Sequence, residues 1–393
     1  MNISPRVIWV FIALTCVLPA VSQTASPATN SAALWTNLPW SDSKYFPIAV
    51  WTQAPTNAAR FRQAGINTYV SLWKGPTDAD LKILKREGMW VVCEPNEVAL
   101  RQTNDSPIIA WMHQDEPDNA QSFGARFGWS SPIAPEKIVA GYKQIKAADV
   151  SRPVLLNLGQ GVAWDGWYGR GTRNNHPEDY PKYLEGCDLA SFDIYPATHT
   201  SRPVAGNLWY VARGVERLIQ WTEGKKPVWT CIEAAHIENP KRKPTPHEIR
   251  CEVWMALIHG SRGVIYFVHQ FKPKFIEAAL LQDTELLPAV TELNRQITEL
   301  APVLNSATVR DAATVQSTNA AVPVATMVKR LDGATYLFAV AMRGETTKAT
   351  FALKGFAGDT AIEVLDEKRS LTAKDGSFSD DFAPWAVHLY HIK

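Results

Sequence analysis

The chain has 393 residues, of which 46% are hydrophobic and 20% are charged, and its formal net charge is +1 at pH 7. This length exceeds what one ordinary hydrophobic core holds, so it predicts one large domain accompanied by a smaller one. The near-neutral balance of charges, without a basic stripe, argues against nucleic acid as a partner.

The N-terminus has the features of an export signal. A positively charged residue precedes an apolar run at 7–21, and the small residues Ala20 and Ser22 offer a cleavage pattern. The run is shorter than the roughly 20 residues that a membrane-spanning helix needs. We therefore predict a signal peptide at 1–22, a flexible mature start at 23–35, and a secreted or periplasmic protein that leaves the membrane after cleavage. An uncleaved or lipid-modified anchor is the less favoured alternative.

Eight short apolar runs then alternate with segments of helical periodicity, which is the pattern of βα units and a parallel sheet. Between the second and third runs, Thr77 is a predicted N-cap and Gly88 a predicted helix stop. Eight units over about 255 residues predict an α/β fold, the (β/α)8 or TIM barrel. A doubly wound open sheet is less favoured, because the first strand–helix turn has no glycine. The predicted strands lie at 45–51, 66–73, 89–95, 108–117, 153–159, 187–196, 226–235 and 263–271.

The pattern changes at about residue 303. From there on, apolar and polar residues alternate between turn signals, and no segment has helical periodicity. This predicts a small antiparallel β-sandwich at 303–393, after a barrel at 36–302. Because the sandwich has no concentrated patch of exposed aromatic residues, we expect it to be a structural accessory domain.

Two glutamates stand at the ends of predicted strands four and seven. Glu116 follows the fourth run in "HQDEPD", and Glu233 ends the seventh in "CIEAA". Active sites of (β/α)8 barrels lie at the C-terminal ends of the strands, so the two side chains would converge across the barrel mouth. For either glutamate alone, a solvated loop position is the simpler interpretation.

This pairing resembles the large clan of retaining glycoside hydrolases with (β/α)8 barrels. The resemblance covers residues 45 to 300 and rests on "DEP" at 115–117, "IEA" at 232–234 and the strand count, so it identifies a clan and no family within it. It implies that Glu116 is the acid/base and Glu233 the nucleophile of a double displacement on an oligo- or polysaccharide. The two carboxyl groups of such an enzyme lie about 5–5.5 Å apart.

The resemblance also implies a role for Tyr195, and the chain departs from the clan pattern at one position. Tyr195, in "DIYP", is similar to the tyrosine that often hydrogen-bonds the nucleophile in the clan. The clan usually has Asn before the acid/base, where this chain has Asp115. An ionised Asp only accepts hydrogen bonds, so the usual contact with the sugar 2-hydroxyl is in doubt and an unusual sugar is indicated.

Several residues are candidates for binding a carbohydrate. Aromatic rings stack on the C–H faces of sugars, and polar residues at strand ends can bind hydroxyl groups. The candidates at strand ends or in the glycine-rich loop after strand five are Trp51, Trp73, Asn157, Trp164, Trp167 and His269.

Two other functions and two cysteine states stay open. A catalytically silent carbohydrate-binding barrel is the first alternative. A metal-dependent barrel hydrolase is less favoured, because strand one ends in "AVWTQ" without a His-x-His pair. Four widely spaced cysteines without a CxxC pair argue against zinc, and they are compatible with a disulfide or with buried thiols. We predict no metal and no cofactor, and the sequence does not predict an oligomeric state.

Overall fold

The computed structural model describes residues 38–103, 105–122, 128–237 and 239–393. The predicted signal peptide and the predicted mature start lie outside these residues. Within the described part of the chain, no helix is both long and apolar enough to cross a membrane.

Eight parallel strands close into a barrel in the order β1 to β8. Because β1 pairs with both β2 and β8, the barrel has no open edge. The predicted (β/α)8 architecture is confirmed. The strands are β1 Ile48–Trp51, β2 Thr68–Val70, β3 Trp90–Cys93, β4 Ile108–Met112, β5 Val154–Leu158, β6 Leu189–Phe192, β7 Val228–Glu233 and β8 Val264–Phe267.

A helix follows every barrel strand, and a ninth leads out of the barrel. The helix after β2 begins as predicted, with Thr77 in a reciprocal capping box with Asp80, and Gly88 takes a positive φ of 65° just past its end. A second capping box joins Thr245 and Glu248. The helices are α1 Ala58–Gln63, α2 Asp78–Arg86, α3 Glu97–Leu100, α4 Pro135–Ala148, α5 Tyr180–Leu184, α6 Tyr210–Trp221, α7 Pro246–Ile258, α8 Leu286–Glu299 and α9 Ala301–Asn305.

The barrel strands are buried on both faces, which explains why they read as nearly continuous apolar runs. Alternate residues of β7 separate accordingly: Trp229 and Cys231 belong to the cluster inside the barrel, whereas Val228 and Ile232 pack toward the helices. Within the barrel strands, the one charged residue, Glu233, is thereby confined to a strand end, where a loop begins.

The C-terminal residues form an antiparallel sheet of eight strands in the order β10-β11-β16-β13-β14-β15-β12-β9. The two outer strands of this order are consecutive in the chain and contact each other, so the sheet nearly closes around its own apolar core. The predicted sandwich-like β domain is confirmed. Its strands are β9 Ala313–Ser317, β10 Val324–Leu331, β11 Ala334–Ala341, β12 Thr347–Leu353, β13 Asp359–Val364, β14 Arg369–Lys374, β15 Ser377–Phe382 and β16 Val387–Ile392.

The β domain packs on the barrel through α7. The rings of Trp254 on α7 and Phe338 on β11 lie 5.2 Å apart, and both belong to the main core cluster of the protein. Lys329 on β10 is buried and donates to the carbonyl oxygens of Leu304 and Ser306, at 3.1 and 2.6 Å. The barrel and the β domain therefore share one hydrophobic core.

The structure decides between a disulfide and buried thiols for the cysteines among the described residues. Cys93, Cys187, Cys231 and Cys251 are all free and buried.

Candidate active site

Among the non-glycine residues in the left-handed region of the backbone, three at the C-terminal end of the barrel are bonded to the next strand. They are Thr52 after β1, Ser71 after β2 and Glu116 after β4, with φ of 37°, 62° and 41°. Each N–H donates to a carbonyl of the next strand, so the strained backbone is held by the sheet. Such conformations cost on the order of 1–3 kcal/mol each and cluster at functional sites. The strain marks this end of the barrel as the candidate site.

Glu116 and Asp193 meet above the end of β5. The backbone N–H of Glu116 donates to the carbonyl of Asn157 at 3.0 Å, and that of Asp193 donates to the carbonyl of Leu158 at 3.1 Å. Their carboxyl groups share a hydrogen bond. Burial, together with the charges of Asp193 and Asp115, raises the pKa of Glu116 well above its usual range. This rise favours the protonated form of Glu116, which is the form a general acid needs.

Asp193 was not singled out from the sequence. Burial raises the pKa of its carboxyl to about 6, while the neighbouring side chains of Glu116 and Tyr195 oppose the rise. The ionised form of Asp193 is therefore favoured above about pH 6, next to the Glu116 carboxyl. The signal that could have found it is its position, since it directly follows β6 as the acids of "DEP" follow β4.

Tyr195 stands beside Asp193. Its buried hydroxyl has no hydrogen-bond partner among the described residues, and its ring packs against Phe267 at a centroid distance of 5.2 Å. Burial and the charge of Asp193 raise the pKa of Tyr195 well above its usual range. The carboxylate next to this tyrosine is thus Asp193, whereas the clan resemblance implied Glu233.

Asp115 is held by a short relay of side chains. Asn157 donates from Nδ2 to Asp115 Oδ1 at 2.9 Å, and Ser191 donates to Asn157 Oδ1 at 2.8 Å. Asn157 is only 2% exposed, so it positions Asp115 and leaves no polar atom free for a sugar. Asp115 keeps part of its surface exposed. Its partial burial among the residues of the barrel mouth, together with the charge of Asp193, nevertheless raises the pKa of its carboxyl to about 7.

Glu233 lies in a different environment from Glu116. Its side chain is fully buried, and its two carboxylate oxygens accept hydrogen bonds from the backbone N–H groups of Ala197 and Thr198, at 2.6 and 2.8 Å. It also shares a hydrogen bond with the buried Glu252 of α7. Burial raises the pKa of Glu233 to about 7, although the surrounding donors oppose the rise. The structure therefore pairs Glu233 with Glu252, and Glu116 with Asp193.

A cavity of about 360 Å³ opens beside the "DEP" loop, on the side of the mouth formed by β8 and β1 to β4. Three sequence-predicted binding residues line it, namely Trp51, Trp73 and His269, and Asp115 does so as well. Trp73 is 51% exposed and donates its indole N–H to Glu277 Oε1 at 2.8 Å. The full lining is Trp51, Thr52, Ser71, Trp73, Glu94, Met112, His113, Gln114, Asp115, Phe267, His269 and Phe271.

Trp164 and Trp167 form a second aromatic cluster, outside this cavity. Their rings lie 6.0 Å apart and contact Tyr168, which is 62% exposed, and His199. Trp167 donates from Nε1 to Asn119 Oδ1 at 2.7 Å. The backbone N–H of Asn119 donates a hydrogen bond to the carbonyl oxygen of Glu116. The cluster belongs to the loops after β5 and β6, so aromatic residues flank Glu116 on both sides.

The arrangement can supply proton transfer. Glu116, whose pKa is raised, lies next to Asp193 and beside a cavity with aromatic walls. Among the residues that the structure describes, no group of three or more His, Cys, Asp or Glu side chains is placed to hold a metal ion.

Comparison with known proteins relates the chain to others by fold. No protein-family model and no curated protein matches its sequence. Similar solved structures include the α-amylase of Geobacillus thermoleovorans in complex with acarbose, with 10% identity, a TM-score of 0.51, and 92% of this chain and 99% of that one covered. An Anoxybacillus α-amylase has 10% identity and a TM-score of 0.50, with 89% and 98% covered.

A putative α-galactosidase from Bacteroides fragilis NCTC 9343 also has 10% identity and a TM-score of 0.50, with 89% of this chain and 79% of that one covered. At this level of identity the similarity shows the fold alone. The fold that the clan resemblance implied is therefore confirmed: the chain has the parallel barrel and C-terminal β domain found in glycoside hydrolases.

Proposed function

We propose that this protein is a glycoside hydrolase that cleaves O-glycosidic bonds of an oligo- or polysaccharide, with Glu116 as the general acid. The observation that carries the proposal is a glutamate with a raised pKa at the C-terminal end of the barrel, next to a cavity walled by Trp51 and Trp73. A glycosidic oxygen is a poor leaving group, so a carboxylic acid must protonate it as the bond breaks. The rings supply stacking surface for the sugar.

We further propose a retaining mechanism with Glu233 as the nucleophile, which is the role that the clan resemblance implies. To act in this way, Glu233 must exchange its hydrogen bonds with Ala197 and Thr198 for contact with the sugar. Asp193 is the second candidate, because its ionised carboxylate already adjoins Glu116. Only one of the two is needed to form the glycosyl-enzyme ester.

The activity is tested on a panel of polysaccharides, with products resolved by size and reducing ends counted. Wild-type protein should release reducing ends from at least one glycan, and Glu116→Gln should not. Binding without release would identify a silent carbohydrate-binding barrel. A chelator should leave the activity unchanged, whereas it would abolish activity that depends on a metal.

The nucleophile is identified by chemical rescue. Replacing it with Ala should abolish turnover, and added azide should restore turnover with inverted configuration at the anomeric carbon, because the small anion occupies the vacated site. We expect this behaviour from Glu233→Ala. If Asp193→Ala is rescued and Glu233→Ala is not, Asp193 is the nucleophile. A wild-type product of inverted configuration would contradict retention altogether.

Export is part of the proposal and rests on the apolar run at 7–21 with its small-residue cleavage pattern. A full-length chain expressed in a Gram-negative host should be recovered from the periplasm or the medium with its first 22 or so residues removed. N-terminal sequencing of the recovered protein checks this, and an intact N-terminus in the membrane fraction would show an anchor.

A further inference from the structure

The ionisable carboxyl groups of the cavity beside Glu116 have no basic counterpart. The described lining contains two carboxyl side chains, Glu94 and Asp115, and no Lys or Arg, whereas Thr52, Ser71 and Gln114 add neutral polar groups. Asp193 and Glu116 add two further carboxyl groups at the same mouth. The described wall therefore holds carboxyl groups without a compensating Lys or Arg.

Glu94 presents an unsatisfied acceptor. Ser71 donates its hydroxyl to Glu94 Oε1 at 2.6 Å, which fixes the carboxylate, while Oε2 is buried and has no hydrogen-bond partner among the described residues. A buried acceptor without a donor is costly, so it marks a place where a ligand group belongs.

His269 presents a second polar atom without a partner. The side chain is only 2% exposed, and its Nε2 lies 3.0 Å from the carbonyl oxygen of Thr52 and 3.1 Å from the amide nitrogen of Gln53. Its Nδ1 has no partner among the described residues and remains available to a ligand. Burial lowers the pKa of His269, so the ring is neutral at pH 7 and adds no positive charge.

The aromatic walls complete the cavity. Trp51, Trp73, Phe267 and Phe271 line it, and Trp73 meets the His269 ring edge-on at 5.8 Å. Rings of this kind bury the C–H faces of a sugar. They also exclude water, which strengthens every charge interaction inside the cavity.

We infer that this cavity takes a sugar unit rich in hydrogen-bond donors and free of negative charge, a neutral or an amino sugar, and that it rejects uronic acids and sulfated sugars. Glu94 Oε2 and Asp115 accept from hydroxyl or ammonium groups, and His269 Nδ1 can bond a sugar hydroxyl. A carboxylate or sulfate on the sugar would meet no Lys or Arg in the described lining and would be repelled by Glu94 and Asp115. The inference rests on the proposed function, since it specifies the substrate of the same site.

Binding to the full chain carrying Glu116→Gln tests the inference without turnover. The probes are a glycan array of neutral, amino and acidic sugars, with matched soluble pairs: β-1,4-glucan, β-1,4-glucosamine and β-1,4-glucuronan oligomers, and homogalacturonan with and without methyl esters. At low ionic strength we expect binding to neutral or amino glycans and none to their acidic counterparts. Equal or tighter binding of an acidic glycan overturns the inference and leaves the proposed function standing. If no glycan binds and the wild type releases no reducing ends, both fail.

Glu94→Gln tests the role of the carboxylate, and Glu97→Gln is the matched control, since Glu97 is exposed and lies outside the cavity. On the glycan that binds, Glu94→Gln should raise Kd by about tenfold or more, because a hydrogen bond to a charged acceptor is lost. It should also reduce the difference in Kd between this glycan and its matched acidic counterpart. Both variants should keep the wild-type unfolding temperature. Unchanged affinity and preference in Glu94→Gln, with the fold intact, would overturn the inference.

Discussion

At the residue scale, the neighbouring carboxyl groups of Glu116 and Asp193 dominate the candidate site. The two carboxyl groups are brought together by β5, whose last two carbonyls anchor both backbones. Like charges in contact cannot both ionise cheaply, so their proximity favours the neutral form of one of them. Glu116 has three acidic neighbours that raise its pKa, namely Asp193, Asp115 and Asp118.

Asp193→Asn should shift the pH dependence of glycan hydrolysis. Asp193 raises the pKa of Glu116, so removing its charge lowers that pKa, and the acid form of Glu116 is lost at lower pH. The basic limb of the kcat/KM profile should move to lower pH by roughly one unit or more. Asp381→Asn, an exposed change on β15, is the control. An unmoved basic limb would mean that Asp193 does not control the proton on Glu116.

The buried pair of Glu233 and Glu252 makes a second prediction at this scale. Burial and Glu233 raise the pKa of Glu252 well above its usual range. A carboxyl with a raised folded-state pKa binds more protons in the native state, so its contribution to stability falls as pH rises. Glu252→Gln removes this titration and still donates a hydrogen bond to Glu233. Relative to the wild type, the variant should gain stability between about pH 5 and about pH 7.

Glu252→Ala is the matched comparison. It removes side-chain volume and the carboxyl group beside Glu233 in a buried site, which should destabilise the protein by about 1–3 kcal/mol. Thermal or urea unfolding at several pH values measures both variants. Equal losses of stability in Glu252→Gln and Glu252→Ala would contradict a shared proton, because Gln keeps the side-chain volume and an N–H donor that Ala lacks.

At the element scale, the loop between β8 and α8 organises the cavity wall. A single oxygen of Glu277 accepts the N–H of Ala54, at 2.6 Å, and the indole N–H of Trp73, at 2.8 Å. The Glu277 carbonyl accepts from Gln53 at 3.0 Å. One residue thus joins the loops after β1, β2 and β8, and it holds an exposed ring in a single orientation.

Glu277→Ala should raise KM for the glycan by about tenfold with a smaller change in kcat, because Trp73 loses its orientation while Glu116 keeps its surroundings. Glu277→Gln retains an acceptor oxygen and should stay near wild-type values. Steady-state kinetics on the identified glycan distinguish the two variants. A loss confined to kcat, or the same loss in both variants, would contradict a positioning role for Glu277.

At the scale of the whole molecule, the β domain is part of the barrel's core. Strands β10, β11 and β16 cover α7, whose Trp254 is fully buried although it lies on the outer layer of the barrel. Burying an aromatic side chain contributes roughly 1.5–3 kcal/mol relative to exposing it. The β domain therefore stabilises the helix that also carries Glu252.

Deleting the β domain from residue 306 onward should leave an apolar face on α7 and make the barrel aggregate or unfold at a lower temperature. Solubility, circular dichroism and the unfolding temperature measure this. A truncated barrel that stays folded and active on small substrates, and loses only polysaccharide binding, would show that the β domain is a binding module.

The sequence by itself determined the architecture and one half of the site. Strands buried on both faces must be apolar throughout, so eight runs separated by helical periods were enough to predict the barrel, and the end of the fourth run was enough to place Glu116 at its mouth. These are local properties, because burial and chain direction act on each segment separately. The alternating segments after residue 303 predicted the β domain for the same reason.

Only the tertiary structure decided which polar groups meet. Asp193 joins Glu116 because β4 and β6 flank β5 in the closed barrel, and Asn157 is enclosed between them, where it positions Asp115. Glu233 ends β7 as predicted, but the N–H groups of Ala197 and Thr198 come from the neighbouring loop and saturate its carboxylate. Hydrogen-bond partners and pKa values depend on distances between segments far apart in the chain, and no local pattern of residues contains those distances.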